Sequence, residues 1–156
     1  MRSVLIDSNL LILLIVGLYD KELIASHKRT RDFTPGDFDL LVEHIDGYEK
    51  LWITSHCLAE VSNLIRQTNT RQAEELMVCL SQFVAAFKES HMSKGLIFND
   101  DISTRLGVTD TGLIIKSKNV TCTYTTDLNL YLEISKRGYD VVNFNHLRDK
   151  AWKTRS

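Results

Sequence analysis

The chain has few cysteines, a single proline and no long apolar run, and each shortage excludes a class of protein. Its three cysteines, Cys57, Cys79 and Cys122, are odd in number and far apart. They form neither a CxxC pair nor a disulfide framework, a pattern that is typical of a reducing compartment. No proline-rich linker, repeat or low-complexity tract interrupts the chain. We therefore expect a single domain over residues 1–156.

The longest apolar run covers residues 10–18 and is less than half of the roughly 20 residues that a membrane span needs. Asp7 and Asn9 precede this run and no small-residue cleavage site follows it, which argues against a signal peptide. The run is therefore predicted to be a buried helix. We expect no membrane partner and a cytoplasmic location.

Charge is nearly balanced over the whole chain but unevenly distributed along it. The formal net charge is −1, with 44% hydrophobic and 25% charged residues, which is typical of a globular protein. Residues 27–31 form a basic run, and a basic tail begins at about residue 146. Runs of this kind are usually solvated surface. A nuclease could instead use them to hold phosphates beside an acidic site.

Short apolar runs alternate with amphipathic segments along most of the chain. Strands are predicted at residues 4–6, 51–53, 120–125 and 141–144. Helices are predicted to begin near Thr34, Thr70, Asp110 and Asp127, with a further one at residues 58–65, and Gly138 ends the helix after Asp127. Residues 90–109 are predicted to be a loop or irregular helix. The alternation predicts a three-layer α/β/α sandwich around a parallel sheet.

Several acidic residues lie where predicted strands end, which is where ligands bind in open parallel sheets. Asp7 ends the first strand, Glu60 lies in the first turns after the second, and Asp127 follows the threonine-rich strand. Asp110 opens a helix without a clear strand before it. Asn9 would point the same way as Asp7 if the chain is still extended there.

Each acid also has a simpler structural explanation, and Glu60 resists it best. Asp110 and Asp127 could be helix caps. A capping box at Glu60 would need its partner at Cys57, which is a poor cap. The hydroxyl of Thr126 could orient a carboxylate or a metal-bound water, although capping alone would also explain this residue.

Taken together, the four acids indicate a cation site. Converging carboxylates repel one another and raise each other's pKa unless a cation joins them. Oxygen-only ligands suit Mg²⁺ or Mn²⁺. Other catalytic patterns are missing, since the sequence contains no GxxxxGK[ST] or GxGxxG loop and its five histidines are scattered.

Four blocks of the sequence resemble, in order, those of the PIN-domain ribonuclease family. Residues 4–11 read V-L-I-D-S-N-L-L, and residues 54–64 read T-S-H-C-L-A-E-V-S-N-L. Residues 108–114 read V-T-D-T-G-L-I, and the fourth block begins V-T-C-T-Y-T-T-D at residue 120. The resemblance covers nearly the whole chain, and the ordered set is more specific than any single block.

The resemblance implies a parallel α/β/α sandwich that cleaves single-stranded RNA with Mg²⁺ or Mn²⁺. Its metal ligands and activators of the attacking water would be Asp7, Glu60, Asp110 and Asp127, with Asn9 in support. Many stand-alone members of this size are toxins held silent by a small antitoxin, and many form homodimers. The expected partners are therefore RNA, a small antitoxin protein and a second copy of the chain.

Three alternatives remain open. Asp100 and Asp101 compete with Asp110 as the source of the third acid. A haloacid-dehalogenase-like phosphatase also places an aspartate after its first strand, but Asn9 stands where that chemistry wants a second aspartate. A catalytically inactive domain could keep the fold for RNA or protein binding, although such a domain has no reason to retain four like charges.

Overall fold

The computed structural model describes residues 2–155, which form five strands and eight α-helices. The strands are β1 (Ser3–Ile6), β2 (Lys50–Thr54), β3 (Lys88–Ser90), β4 (Cys122–Thr125) and β5 (Val141–Asn143). The helices are α1 (Ser8–Tyr19), α2 (Pro35–Ile45), α3 (Ser55–Ile65), α4 (Thr70–Val84), α5 (Lys94–Phe98), α6 (Ser103–Ser117), α7 (Leu128–Lys136) and α8 (Phe144–Arg155). A 3₁₀ helix (Lys21–Ala25) follows α1.

All five strands are parallel and lie in the order β3-β2-β1-β4-β5. Val4 at the centre is in register with Leu51 of β2 on one side and with Cys122 of β4 on the other. Helices cover the sheet, so the predicted three-layer α/β/α sandwich is confirmed. Because the strands are parallel, their last residues share one edge, which we call the carboxyl edge.

The core is built around β1 and α1. Every residue of β1 is buried, and α1 is buried from Leu10 to Gly17 on all sides, as expected for a helix that lies inside a domain. Gly17 permits this packing, because a Cβ there would lie only 2.1 Å from Cδ2 of Phe38 on α2. No helix within residues 2–155 is long and apolar enough to cross a bilayer.

Helix boundaries follow the local signals in the sequence. Thr34 caps α2 in a full capping box with Asp37, and Pro35 is the first helical residue. Gly138, with a φ of 82°, follows the end of α7 as predicted. The predicted buried helix at residues 10–18 is α1.

Three sequence predictions need correction. Phe144 is not the end of the last strand but the first residue of α8, so the basic tail is helical. Residues 90–109 are more regular than predicted, since they contain α5 and the start of α6. Asp110 does not open a helix, because it lies inside α6. That helix is interrupted at Gly107, however, so Asp110 lies in the first turn after the break.

Candidate functional site

Asp7 is held at the carboxyl edge between β1 and α1. It caps α1 and is only 5% exposed. Its Oδ1 accepts a hydrogen bond from Leu10 N at 3.2 Å, and its Oδ2 accepts from the Thr125 hydroxyl and from Thr126 N at 3.3 Å. Burial raises the pKa of Asp7 to about 6 although these hydrogen bonds lower it, and the charge of Asp110 raises it slightly more.

Thr125 connects the two strand ends that carry Asp7 and Asp127. Its hydroxyl donates to Asp7 and accepts from the backbone N–H of Asp127 at 3.0 Å. From the sequence, Asn9 and Thr126 were the expected supporting residues, and Thr125 was not among them. Strand alternation was the available signal, because Thr123 and Thr125 share one face of β4 and both hydroxyls are buried. The hydroxyl of Thr123 lies 2.7 Å from that of Ser117.

Asp127 is the N-cap of α7 and is exposed to solvent. Its Oδ1 accepts a hydrogen bond from Leu130 N at 3.0 Å. Capping therefore explains part of its presence, as the sequence analysis allowed. This cap uses only one of the two carboxylate oxygens of Asp127.

Asp110 lies on α6, in the first helical turn after the break at Gly107. Gly107 has a φ of 84° and a ψ of 179°, and its carbonyl accepts a hydrogen bond from the Thr111 hydroxyl at 2.6 Å. Asp110 is half-buried. Its pKa is raised to about 6, mainly by burial and to a smaller extent by the charges of Asp127 and Glu60.

Glu60 lies on α3, half-buried beside the thiol of Cys57. Thr54 is the cap of this helix and accepts from Cys57 N at 3.2 Å, so Glu60 has no capping role. Burial raises the pKa of Cys57 to about 12, and the charges of Asp7 and Glu60 contribute to the rise. The thiol is therefore protonated at neutral pH and acts as a small apolar side chain.

The remaining predicted residues lie around these four acids. Asn9 is exposed in the first turn of α1, so the extended chain needed to align it with Asp7 is not present. Thr126 contributes its backbone, since its N–H donates to Asp7 and its carbonyl accepts from Asn145 Nδ2 at 3.3 Å. His56, one turn before Glu60, has a buried Nδ1 with no hydrogen-bond partner in the described part of the chain.

Asp100 and Asp101 are less suited than Asp110 to be the third acid. Asp100 accepts two hydrogen bonds from the Arg137 guanidinium, at 2.8 and 2.9 Å, and this pairing lowers its pKa. It is therefore occupied as an ion-pair partner. Asp101 is exposed. Of the three acids, Asp110 is the one whose charge affects the pKa of Asp7.

The four acids offer oxygen donors but do not form a tight ligand cage. Within residues 2–155, no three His, Cys, Asp or Glu side chains come close enough together to hold one metal ion. Mg²⁺ keeps several waters and commonly binds proteins through one or two carboxylates. The donor chemistry, and the charge repulsion that raises the pKa of Asp110, therefore fit a hydrated divalent cation bound by few direct ligands.

The arrangement is thus a partly buried cluster of carboxylates, supplied by four elements, at the carboxyl edge of a parallel sheet. Comparison with protein-family models and with curated proteins finds no match for this chain.

Proposed function

We propose that this chain is an Mg²⁺- or Mn²⁺-dependent endoribonuclease of the PIN type, which hydrolyses phosphodiester bonds of single-stranded or structured RNA. The observation that carries the proposal is the electrostatic coupling of Asp110 to Asp127 and Glu60, and of Asp7 to Asp110. Like charges that raise the pKa of Asp7 and Asp110 destabilise a fold in the absence of a cation. A bound cation would neutralise this repulsion, and binding a cation and a phosphodiester would explain why the acids lie together.

Asp7, Glu60, Asp110 and Asp127 are the residues that would hold the metal, one or two of them by direct contact and the others through its bound water molecules. A bound divalent ion lowers the pKa of a water molecule and neutralises charge on a phosphate. Because Asp7 already accepts three hydrogen bonds, its carboxylate is held in one orientation in the site. Asp127 is exposed, whereas Asp110 and Glu60 are half-buried and Asp7 is buried, so Asp127 is the most accessible of the four to substrate.

The residues of the chain position these acids before any ligand arrives. Thr125 fixes Asp7 and the backbone at Asp127 with a single hydroxyl group. The N-termini of α1 and α7 supply N–H donors to the same two carboxylates. Preorganisation of this kind reduces the reorganisation that substrate binding would otherwise require.

RNA cleavage by the purified protein tests the proposal directly. We expect a fluorescent single-stranded RNA to be cut in Mg²⁺ or Mn²⁺ and to remain intact in EDTA. Asp127→Asn should reduce cleavage by at least about 100-fold, since removing one transition-state contact commonly has an effect of this size. Asp101→Asn, which makes the same charge change at an exposed acid, is the matched control. Cleavage that survives EDTA or Asp127→Asn would contradict the proposal.

The same experiment separates the two rival functions. If the chain is only a binding module, the wild type and Asp127→Asn should bind RNA equally well and neither should cut it. A phosphatase of the haloacid-dehalogenase type would form a phosphorylated Asp7. The burial of Asp7, whose oxygens accept three hydrogen bonds, argues against that nucleophilic role.

We propose that the chain acts as a toxin in the cytoplasm. It would form a homodimer and be silenced by a small antitoxin protein. Expression of the wild-type chain should then arrest growth, and expression of Asp127→Asn should not. Equal growth with both proteins would contradict the toxin role and leave RNA cleavage to be judged on its own assay.

A further inference from the structure

Helix α8 begins beside the acid cluster. Phe144 follows β5 at the carboxyl edge and is fully buried. The next residue, Asn145, donates from Nδ2 to the Thr126 carbonyl at 3.3 Å. Thr126 directly precedes Asp127, so the first turn of α8 is tied to the loop that carries this acid.

A second contact leads from Asp127 along α8. The ring of His146 packs edge-on against that of Tyr131, with 5.4 Å between ring centroids, and Tyr131 N donates to the Asp127 carbonyl at 2.9 Å. Lys150 and Lys153 follow His146 on the same face of α8, at intervals of one helical turn. His146, Lys150 and Lys153 line a common surface depression together with Asp149 and Thr154, which leaves an excess of positive charge there. The face extends roughly 10 Å away from the acids at 1.5 Å per residue.

The two lysines are available to a ligand, whereas Arg148 is not. Lys150 and Lys153 are exposed and form no ion pair with any described residue. Nη2 of Arg148 lies 3.1 Å from Oδ2 of Asp37 and donates to the Asp32 carbonyl at 2.8 Å. Arg148 therefore anchors α8, and the lysines supply its free positive charge.

The neighbouring face of α8 borders a cleft and carries an aromatic side chain. The cleft, of about 770 Å³, lies between the start of α2 and α8 and is lined by Thr34, Asn145 and Trp152, among others. Trp152 is 74% exposed. The lining also includes Asp37, Asp149 and Arg148, and Arg148 is paired with Asp37, so the cleft contributes an aromatic surface and no excess of positive charge. Exposed aromatic side chains are platforms on which single-stranded nucleic acids stack their bases.

The structure also brings the other basic segment of the sequence to this surface. Arg148 lies over the Phe33 ring, with 4.7 Å between its Cζ and the ring centroid, and bonds the Asp32 carbonyl. Lys28 and Arg31, just before these residues, are both exposed. The end of this basic segment therefore contacts α8 through Asp32 and Phe33.

We infer that α8 is a docking track for single-stranded RNA, in which Lys150 and Lys153 contact phosphates and Trp152 stacks on a base. This inference rests on the proposed function, because it names the surface that delivers RNA to the acids. The lysines complement phosphate charge, and the tryptophan adds a contact that an unpaired base can make but a base inside a duplex cannot.

Binding of a labelled oligouridine to the full chain in EDTA tests the track without cleavage. An oligonucleotide of about 12 residues matches the site sizes of single-strand binders. By fluorescence anisotropy, Lys150→Glu/Lys153→Glu should weaken binding by at least about 10-fold and lower the salt slope by about 1.4. Trp152→Ala should weaken binding by about fivefold or more, and Trp152→Phe should retain most of it.

Lys118→Glu/Lys136→Glu is the matched control, because these exposed lysines end α6 and α7 and lie away from the carboxyl edge. We expect the control to change binding by less than about twofold. The track would be overturned if both double variants weakened RNA binding equally, or if neither of them weakened it. The neutral pair Lys150→Gln/Lys153→Gln repeats the test if the charge reversal disturbs folding, as checked by circular dichroism.

The outcomes also separate the track from the proposed function. Wild-type cleavage in Mg²⁺ combined with normal binding by Lys150→Glu/Lys153→Glu would overturn the track alone. Binding that depends on α8 without any cleavage in Mg²⁺ would contradict the nuclease and support the track. The track would also be overturned if binding of an acidic protein depended on Lys150 and Lys153 while binding of RNA did not.

Discussion

At the scale of single residues, the site is defined by carboxylates that are ionised at an energetic cost. Asp7 and Asp110 both have a pKa raised to about 6, in each case mainly through burial. Such groups bind protons more tightly in the folded chain than in the unfolded chain. Their favourable contribution to stability is complete below the unfolded value of 3.8 and is lost as pH rises through about 6.

Asp110→Asn should therefore stabilise the protein at high pH when no divalent cation is present. The full electrostatic cost of about 3 kcal/mol is reduced by solvent to about 1 kcal/mol, because Asp110 is only half-buried. We expect the free energy of unfolding in urea to rise by about this amount near about pH 8 and to change little near about pH 4. A gain that is equal at both pH values would contradict the electrostatic explanation.

Thr125→Val should show how much the bridging hydroxyl contributes. This nearly isosteric change leaves the Asp127 N–H without its acceptor and removes one donor from Asp7. We expect a loss of about 1–3 kcal/mol in the free energy of unfolding and a marked fall in RNA cleavage. Thr125→Ser, which keeps the hydroxyl, is the control. Full activity of the valine variant would show that the bridge has no positioning role.

The position of Asp7 and Asp127 at strand ends was predictable from the sequence, whereas the hydroxyl bridge between them was not. Asp7 follows an apolar strand and Asp127 follows a threonine-rich one, and strand ends are local features of the sequence. The hydroxyl that joins them forms a contact across 118 positions of the chain. Its partner depends on β1 and β4 being neighbours, which no local pattern specifies.

At the scale of elements, local signals predicted most boundaries and failed where distant contacts decide. The caps at Thr34 and Gly138 act on their own helices, so they could be read directly. β3 reads Lys-Glu-Ser and has no apolar residue, and only its backbone pairing with β2 makes it a strand. Phe144 was predicted to be part of the last strand because it is apolar and follows two valines. In the structure it is buried but begins α8.

The break in α6 gives a prediction about Gly107. Its φ of 84° and ψ of 179° lie in a region that only glycine adopts readily. Gly107→Ala should cost about 1–3 kcal/mol in unfolding free energy and reduce cleavage, because it shifts the turn that carries Asp110. A Cβ at residue 107 would contact nothing within 4 Å, so any effect arises from the backbone.

Gly95→Ala is the matched control for this substitution. Gly95 lies within α5, and a Cβ there would meet Ser93 Oγ at an ordinary 3.9 Å. Alanine is favoured over glycine in helices by about 1 kcal/mol, so this variant should unfold at the same temperature or higher. If both variants lose stability equally, the backbone at Gly107 has no special role.

At the scale of the whole molecule, a divalent cation should stabilise the native state. A ligand at ten times its Kd adds about 1.4 kcal/mol, which corresponds to a rise of about 2–6 °C in Tm for a domain of this size. We expect Mg²⁺ or Mn²⁺ to produce such a rise near about pH 8 and less of it below about pH 6, where protons compete for the carboxylates. Differential scanning fluorimetry measures the effect.

Two controls make the thermal shift specific. NaCl at matched ionic strength should leave Tm nearly unchanged, because screening alone does not occupy a site. The double variant Asp110→Asn/Asp127→Asn should lose the response to metal. A shift of the same size in NaCl, or in the double variant, would show that the acids do not bind the ion.

The edges of the sheet also determine how copies of this chain can meet. β3 ends one side of the sheet with only three residues, and its Lys88 and Glu89 are exposed. Short, charged edge strands offer neighbouring chains few backbone groups and no apolar surface to pair with. Copies of the chain are therefore discouraged from joining through this strand into a continuous sheet.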